Sequence, residues 1–142
     1  MNFSSRTIYA LKFMLHLALV NGQKVVSTSE VATKEGISAK FLESVVATIK
    51  SGGLIKVKRG AKGGYFLAKP ISLISLKEII ELFEPLESNN QEIITATTNI
   101  DLAIRKHIKD IEKTLNKHLA EKSLKDLVAT FETTSTSQMF YI

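Results

Sequence analysis

A single residue, Ile37, stands between Gly36 and Ser38, and no other feature constrains the chain so tightly. Upstream, "STSEVATKEG" opens on Ser27, placed three residues before Glu30. That is the spacing of a capping box, in which each side chain serves the other residue's backbone N–H. Gly36 ends this short helix, because glycine takes the left-handed C-cap without steric cost. Ser38 is then a good N-cap for "AKFLESVVATIKSGG". Two helices joined by so short a turn must cross steeply, which is the helix-turn-helix arrangement. In the second helix Leu42, Val45, Val46 and Ile49 form the stripe expected to be buried, and Gly52-Gly53 close it. The opposite face carries Ser38, Lys40, Glu43, Ser44 and Ala47, small or polar residues with one long cation and one carboxylate.

The stretch "VKRGAKGGYFLAKP", Val57 to Pro70, contains Lys58, Arg59, Lys62 and Lys69, three glycines and no acid. Two readings stand open for it: a plain surface hairpin, or a limb that reaches for something anionic. "LIKVKRG" and "GYFLAKP" read as strands, the first by alternation and the second by its aromatic, β-favouring residues. The loop Gly60-Ala61-Lys62-Gly63-Gly64 has the glycine for backbone at positive φ, and Pro70 closes the hairpin. A helix-turn-helix followed at once by a basic hairpin predicts a winged helix. Charge is distributed accordingly. Residues 1–70 carry eleven Lys/Arg against Glu30, Glu35 and Glu43, whereas residues 71–142 carry eight against eleven acids. The net charge of +5 thus hides a first half attractive to polyanions and a second half that is not.

A first helix is expected from about Ser4 to Val20, with Ile8, Leu11, Leu15, Ala18 and Leu19 at helical spacing and Asn21-Gly22 as its stop. "SLKEIIELFEP" repeats the capping box through Ser75 and Glu78, buries Leu76, Ile79, Ile80 and Phe83, and ends at Pro85. After a turn at Ser88–Gln91 comes a long helix, roughly Thr98 to Glu121. Its narrow stripe of Ile104, Ile108, Ile111, Leu115 and Leu119 suits a crossed or antiparallel partner helix better than a deep core. A third box, Ser123 and Asp126, starts the short helix "LKDLVATF"; "ETTSTSQ" reads as a polar linker, and "MFYI" follows. The expected fold is mainly α with a small β-hairpin. It comprises a winged helix-turn-helix at 1–84 (wing about 54–70), dimerisation or effector helices at 85–134, and a flexible tail at 135–142.

Catalysis finds little support. The sequence has no cysteine, which removes disulfides, thiolate nucleophiles and thiolate metal sites. His107 and His118 lie about 16 Å apart along one helix, too far for one metal, and His16 stands alone. "GAKGGY" has neither phosphate-loop nor dinucleotide spacing and leads into a strand. No enzyme, metal or cofactor is expected. The apolar run Phe13–Val20 contains His16 and is far short of a membrane span, so a cytoplasmic protein without membrane contact is expected.

Double-stranded DNA fits better. The N-terminal part of a second helix-turn-helix helix enters the major groove, which places Ser38, Ala39, Lys40 and Glu43 there. Near phosphates a glutamate costs affinity, but it can accept from cytosine N4, so Glu43 reads either as a base reader or as a solvated partner of Lys40. Arg59 and Lys62 at the hairpin tip would reach phosphates or the minor groove, with Gly63 and Gly64 allowing close backbone approach.

Gly36-Ile37-Ser38, "FLE" at 41–43, "GL" at 53–54, "RGAKGGYFLA" at 59–68 and "SLKEII" at 75–80 closely resemble the Rrf-two family of winged-helix transcriptional regulators. The likeness is strong over residues 2 to about 84 and weaker near 123–127. It implies a homodimer built on crossed or swapped long helices and bound to a partly palindromic site. It also implies that Ser38, Lys40 and Glu43 act in the major groove and Arg59 from the wing. Members with an iron–sulfur cluster carry three cysteines before the long helix, where this chain reads "EPLESNNQEIITATTNID". The position of an acidic ligand in the first helix is Ile8. The resemblance therefore leads to a regulator without a cluster. Met139, Phe140, Tyr141 and Ile142 resemble the C-terminus of the family's cysteine-metabolism repressors. That likeness implies docking of the tail in the active site of cysteine synthase, O-acetylserine (thiol)-lyase; "IRKHIKDI", however, lacks the tryptophan usual in that helix. Docking of the tail on the protein itself, and a small-molecule pocket beside the long helix, are the other readings of how a signal enters.

Overall fold

The computed structural model describes residues 2–86 and 98–140, with side chains through Thr136. Helix α1 (Ser5–Val20) starts on Ser4, whose hydroxyl accepts from the N–H of Thr7, and stops at Asn21, itself left-handed at φ 44°. Its buried face is Thr7, Ala10, Phe13, Met14, Leu17 and Ala18. Of the apolar positions expected from spacing, Ala18 is buried, but Ile8 and Leu19 remain 41% and 39% exposed. The helix is apolar on nearly every side, so periodicity alone does not choose the inner face. Packing does: Phe13 meets Tyr65 edge-on, with ring centroids 5.9 Å apart.

Helices α2 (Thr28–Glu35) and α3 (Ala39–Ser51) form the helix-turn-helix, with Gly36 left-handed at φ 64°. The box at Ser27 is one-sided. Ser27 accepts from the N–H of Glu30, but the Glu30 carboxylate turns to Lys34 at 3.1 Å and Lys24 at 3.7 Å. Two lysines outcompete one backbone N–H for it. A second tie runs from α2 to α1, where Glu35 holds His16 at 2.8 Å and Lys12 at 3.5 Å. Leu42, Val45, Val46 and Ile49 are all buried, as their spacing requires. Truncating the fully buried Leu42 to alanine should cost about 2–5 kcal/mol.

Strands β1 (Ile55–Lys58) and β2 (Gly64–Leu67) pair antiparallel, Val57 opposite Tyr65. The hairpin has a third strand position that its own sequence does not announce. Val26, just before α2, exchanges both backbone hydrogen bonds with Tyr65, at 3.0 and 2.8 Å. A short 3-10 turn at Ile71–Leu73 leads to α4 (Leu76–Ile80), which carries the complete Ser75–Glu78 capping box. Helix α5 (Asn99–Glu121) is capped reciprocally by Thr98 and Asp101. The turn expected at Ser88–Gln91 lies outside the described residues.

Helix α6 (Leu124–Phe140) corrects two expectations. It does not end with "LKDLVATF", and residues 135–140 are not a flexible tail. Neither glycine nor proline interrupts 124–140, and the threonines expected to break it bond within the helix. The hydroxyls of Thr130, Thr133 and Thr136 donate to carbonyls four residues back, at 3.1, 3.0 and 2.9 Å. The start of α6 also joins the core of the first helices. Leu124 is fully buried in the same core as Phe13 and Ile74, with Leu127 and Val128 packed on it. Ser75 and Ser123, the caps of α4 and α6, form an antiparallel bridge flanked by Leu76 N–H to Lys122 O (2.8 Å) and Leu124 N–H to Ile74 O (2.9 Å).

The start of α1 is tied to the residues after α4 by Glu84, which accepts from the Ser4 N–H and the buried Thr7 hydroxyl, both at 2.7 Å. The Ser4 N–H first, then the hydroxyls of Thr7 and Ser4, hold the Glu84 carboxyl below its ordinary 4.5. A depressed carboxyl stabilises the fold above its unfolded value and stops doing so as pH falls through its folded value. Glu84→Gln should therefore lower the melting temperature at pH 7 and shrink the further loss on acidification below about 4.5, read by thermal melts across pH. At Gly64 an added Cβ would lie 2.8 Å from the Val26 carbonyl oxygen. Gly64→Ala should thus cost about 1–3 kcal/mol in denaturant unfolding, with the wing strand pushed from Val26.

Candidate nucleic-acid interface

Ser38, Ala39, Lys40, Glu43, Ser44 and Ala47 are all exposed along α3. Ser38 is positioned as the N-cap, its hydroxyl accepting from the Phe41 N–H at 3.3 Å. Ser44 donates to the Phe41 carbonyl at 2.7 Å, which folds its hydroxyl onto the helix and keeps this face low. Lys40 and Glu43 make no ion pair with each other or with any other described residue. The carboxylate and the ammonium are therefore both free to meet a ligand.

Ion pairing divides the cations of the first seventy residues. Lys12, Lys24, Lys34 and Lys69 are paired to Glu35, Glu30, Glu30 and Glu78. Arg6, Lys40, Lys50, Lys56, Lys58, Arg59 and Lys62 have no ion pair among the described residues. The unpaired set lies on the N-terminal turn of α1, on α3 and on the hairpin. The positive surplus is thus displayed where the helix-turn-helix and wing would face a polyanion. At Glu78, burial pushes the carboxyl up, but the hydrogen bonds of Lys69 and Ser75 outweigh it and hold the value below 4.5.

Arg59 and Lys62 are exposed in the loop joining β1 to β2, and Gly60 sits at φ 125°. Gly63 and Gly64 have reasons of their own to be glycine. Gly63 donates to the Gly60 carbonyl at 2.9 Å, and a Cβ there would stand 2.4 Å from the Lys58 oxygen. Gly64 carries the close approach to Val26. Each glycine is thus required by a close backbone approach within the protein.

Sequence reasoning missed Arg6 and Phe41. Arg6 donates to the Thr48 hydroxyl of α3 at 3.3 Å and lies over the Phe83 ring at 5.3 Å, which extends the basic surface beyond α3. Phe41, 38% exposed, stacks edge-on against Tyr9 with centroids 5.5 Å apart. No motif signals either; both depend on how α1 crosses α3.

On α5, Ile104 and Ile111 are 50% and 67% exposed, and Ile108 and Leu115 half-buried. Ile100, at 72% exposed, continues the stripe. Met139 and Phe140 lie in the last turn of α6, and Tyr141 and Ile142 fall outside the described residues. Among the described residues, no group of three or more His, Cys, Asp or Glu could hold a metal ion, and no helix is long and apolar enough to cross a membrane.

A helix-turn-helix with an exposed second helix, followed by a basic β-wing, defines a winged-helix DNA-binding protein. The family described as Rrf2, iron-dependent transcriptional regulator, matches residues 3–130. The transcriptional regulator CymR of Bacillus subtilis is 30% identical over 146 residues, covering 100% of both chains. The solved structure of that CymR, described as the global cysteine regulator of B. subtilis, superposes with a TM-score of 0.80 at 27% identity over 92% of this chain and 98% of the other. T. potens IscR superposes at 0.75 with 26% identity, over 94% and 90%. The chain belongs to the Rrf2 family, and it is a DNA-binding transcriptional regulator, not an enzyme.

Lys69 and Arg59 should separate in a salt titration. Arg59→Ala should lower the slope of log affinity against log salt by about one, whereas Lys69→Ala, already neutralised by Glu78, should leave it nearly unchanged. Fluorescence anisotropy on a promoter duplex reads both.

Proposed function

We propose that this regulator is a homodimeric repressor that binds a partly palindromic operator and carries no iron–sulfur cluster. The observation that carries the reading is the free face of α3, where Lys40 and Glu43 stand exposed and unpaired beside an unpaired basic wing. Ser38, Ala39 and Lys40 position the helix on the major groove. Glu43 accepts from cytosine N4 and penalises other bases, and Arg59 and Lys62 hold the flanking backbone from the wing. The family's description names iron, but a sequence without cysteine cannot hold a cluster through thiolates.

The exposed stripe Ile100, Ile104 and Ile111, with Ile108 and Leu115, supports pairing of α5 with its copy. Isoleucines left in water on one side of a 23-residue helix favour a second apolar surface, and two-fold symmetry supplies it. The likeness to CymR supports cysteine or sulfur metabolism as the regulated process, with cysteine synthase as the partner to test through Met139, Phe140, Tyr141 and Ile142. Insertion of that segment into an enzyme would require the last turn of α6 to unwind.

Binding to the promoter fragment upstream of the protein's own gene tests the core of the reading. Glu43→Ala should cut the ratio of specific to random-sequence affinity about tenfold, with little loss on random DNA. Equal losses on both would remove Glu43 as a base reader. Ile111→Glu should convert the dimer to monomer in sedimentation equilibrium and weaken palindrome binding. A variant that stays dimeric would place the interface elsewhere.

A further inference from the structure

A half-open cleft of about 700 Å³ lies beside the base of the wing, between the hairpin and the loop after α1. Val57 and Tyr65 point from the hairpin toward the core, where Tyr65 meets Phe13, so the alternation of the strands turns Lys58 and Phe66 outward. The loop from Asn21 to Val25 and the turn at Lys69–Ile71 complete the walls. The volume lies within the roughly 300–1,000 Å³ typical of small-molecule sites. Three ammonium groups line it, Lys24, Lys58 and Lys69, together with the apolar Phe66, Pro70 and Ile71, and among the described residues no carboxylate lines it. Lys69 is neutralised by Glu78, and Lys24 shares Glu30 with Lys34, whereas Lys58 has no ion pair among the described residues. The cleft thus combines uncompensated positive charge with an aromatic and aliphatic floor.

We infer that this cleft is a binding site for a small organic anion, a carboxylate or phosphate ester with a planar or branched apolar body. The anionic group meets Lys58 with Lys24 beside it, and the body lies on Phe66, Pro70 and Ile71. Inorganic phosphate supplies only the first half of that match, and a neutral aromatic only the second. Because Lys58 directly precedes Arg59, a ligand here braces the wing against the Asn21–Val25 loop and so acts on the placement of the wing tip.

Phenyl phosphate titrated into ¹⁵N-labelled full-length protein without DNA tests the site. The expected result is saturable shifts of the Gly22, Lys24, Val25, Lys58 and Phe66 amides, with inorganic phosphate and phenol each binding about tenfold more weakly or worse. Lys58→Gln should weaken binding by about tenfold with the melting temperature unchanged, and Lys58→Arg should restore it. Shifts concentrated on α3 and on Arg59–Lys62 would show that the anion seeks only the DNA surface, and would overturn the site. Equal affinity for inorganic phosphate, or no saturable shift at all, would overturn it as well.

Discussion

Most of the DNA-binding unit is docked on α1, whose buried row is Ala10, Phe13, Met14 and Leu17. Helices α2, α3, α4 and α6 and strand β2 all pack on this one helix. The core is closed to solvent there: Phe13, Met14, Leu42, Val45, Ile49, Ile74, Ile79 and Leu124 reach zero exposure. Polar ties then fix the rotation of α1 within that apolar socket. Thr7 and Glu84 act at one end, and His16, Lys12 and Glu35 at the other. At Glu35 the hydrogen bond from His16 leads in holding the carboxyl low, ahead of an opposing burial effect and the charge of Lys12. The apolar contacts supply the stability; the ties supply the register.

That register positions the free cations. Acids sit on α2 and at the start of α4, where they neutralise Lys12, Lys24, Lys34 and Lys69, while α3 and the wing tip are left with positive charge and a single carboxylate, Glu43. On the function proposed above, such a surface attracts DNA through long-range charge and discriminates through one short-range group, Glu43. Attraction and discrimination are then separable, because phosphate contacts carry no sequence information.

The helix-turn-helix was legible because its signals are local. Gly36 needs a left-handed angle, Ser38 needs to cap, and the Leu42–Ile49 stripe has one period. The hairpin was legible for the same reason. What escaped was set by neighbours distant in sequence. Nothing within 21–26 marks Val26 as a strand residue, since its partner is Tyr65, thirty-nine residues on. The inner face of α1 is not legible in the sequence because Ile8 and Leu19 share the helical period with Phe13, Met14 and Leu17, and only the packed core separates them. The length of α6 was underestimated because threonine favours loops when its hydroxyl lacks a partner, and here the partner is the helix's own backbone. At the site, Lys40, Glu43 and Arg59 could be singled out by charge and position, but Arg6 joins them only through a crossing of helices.

The bond between Val26 and Tyr65 has a consequence for regulation. A wing attached only through β1 could swing about Gly52-Gly53 without disturbing α3. With β2 held by both hydrogen bonds to Val26, the wing is instead joined to the entry of α2, and Gly64 lets the two backbones come close enough for that joint. Displacing the Asn21–Val25 loop therefore pulls on the wing, and displacing the wing pulls on Ser27 and the cap of α2. The end of α5 couples to the same frame. Lys122 and Leu124, at the corner between α5 and α6, bond to Leu76 and Ile74 at the entry to α4, and Glu84 carries the residues after α4 back to Ser4 and Thr7. A shift of α5 would thus be transmitted to α1 through these hydrogen bonds. The recognition helix, packed on α1 through its buried stripe, has to follow.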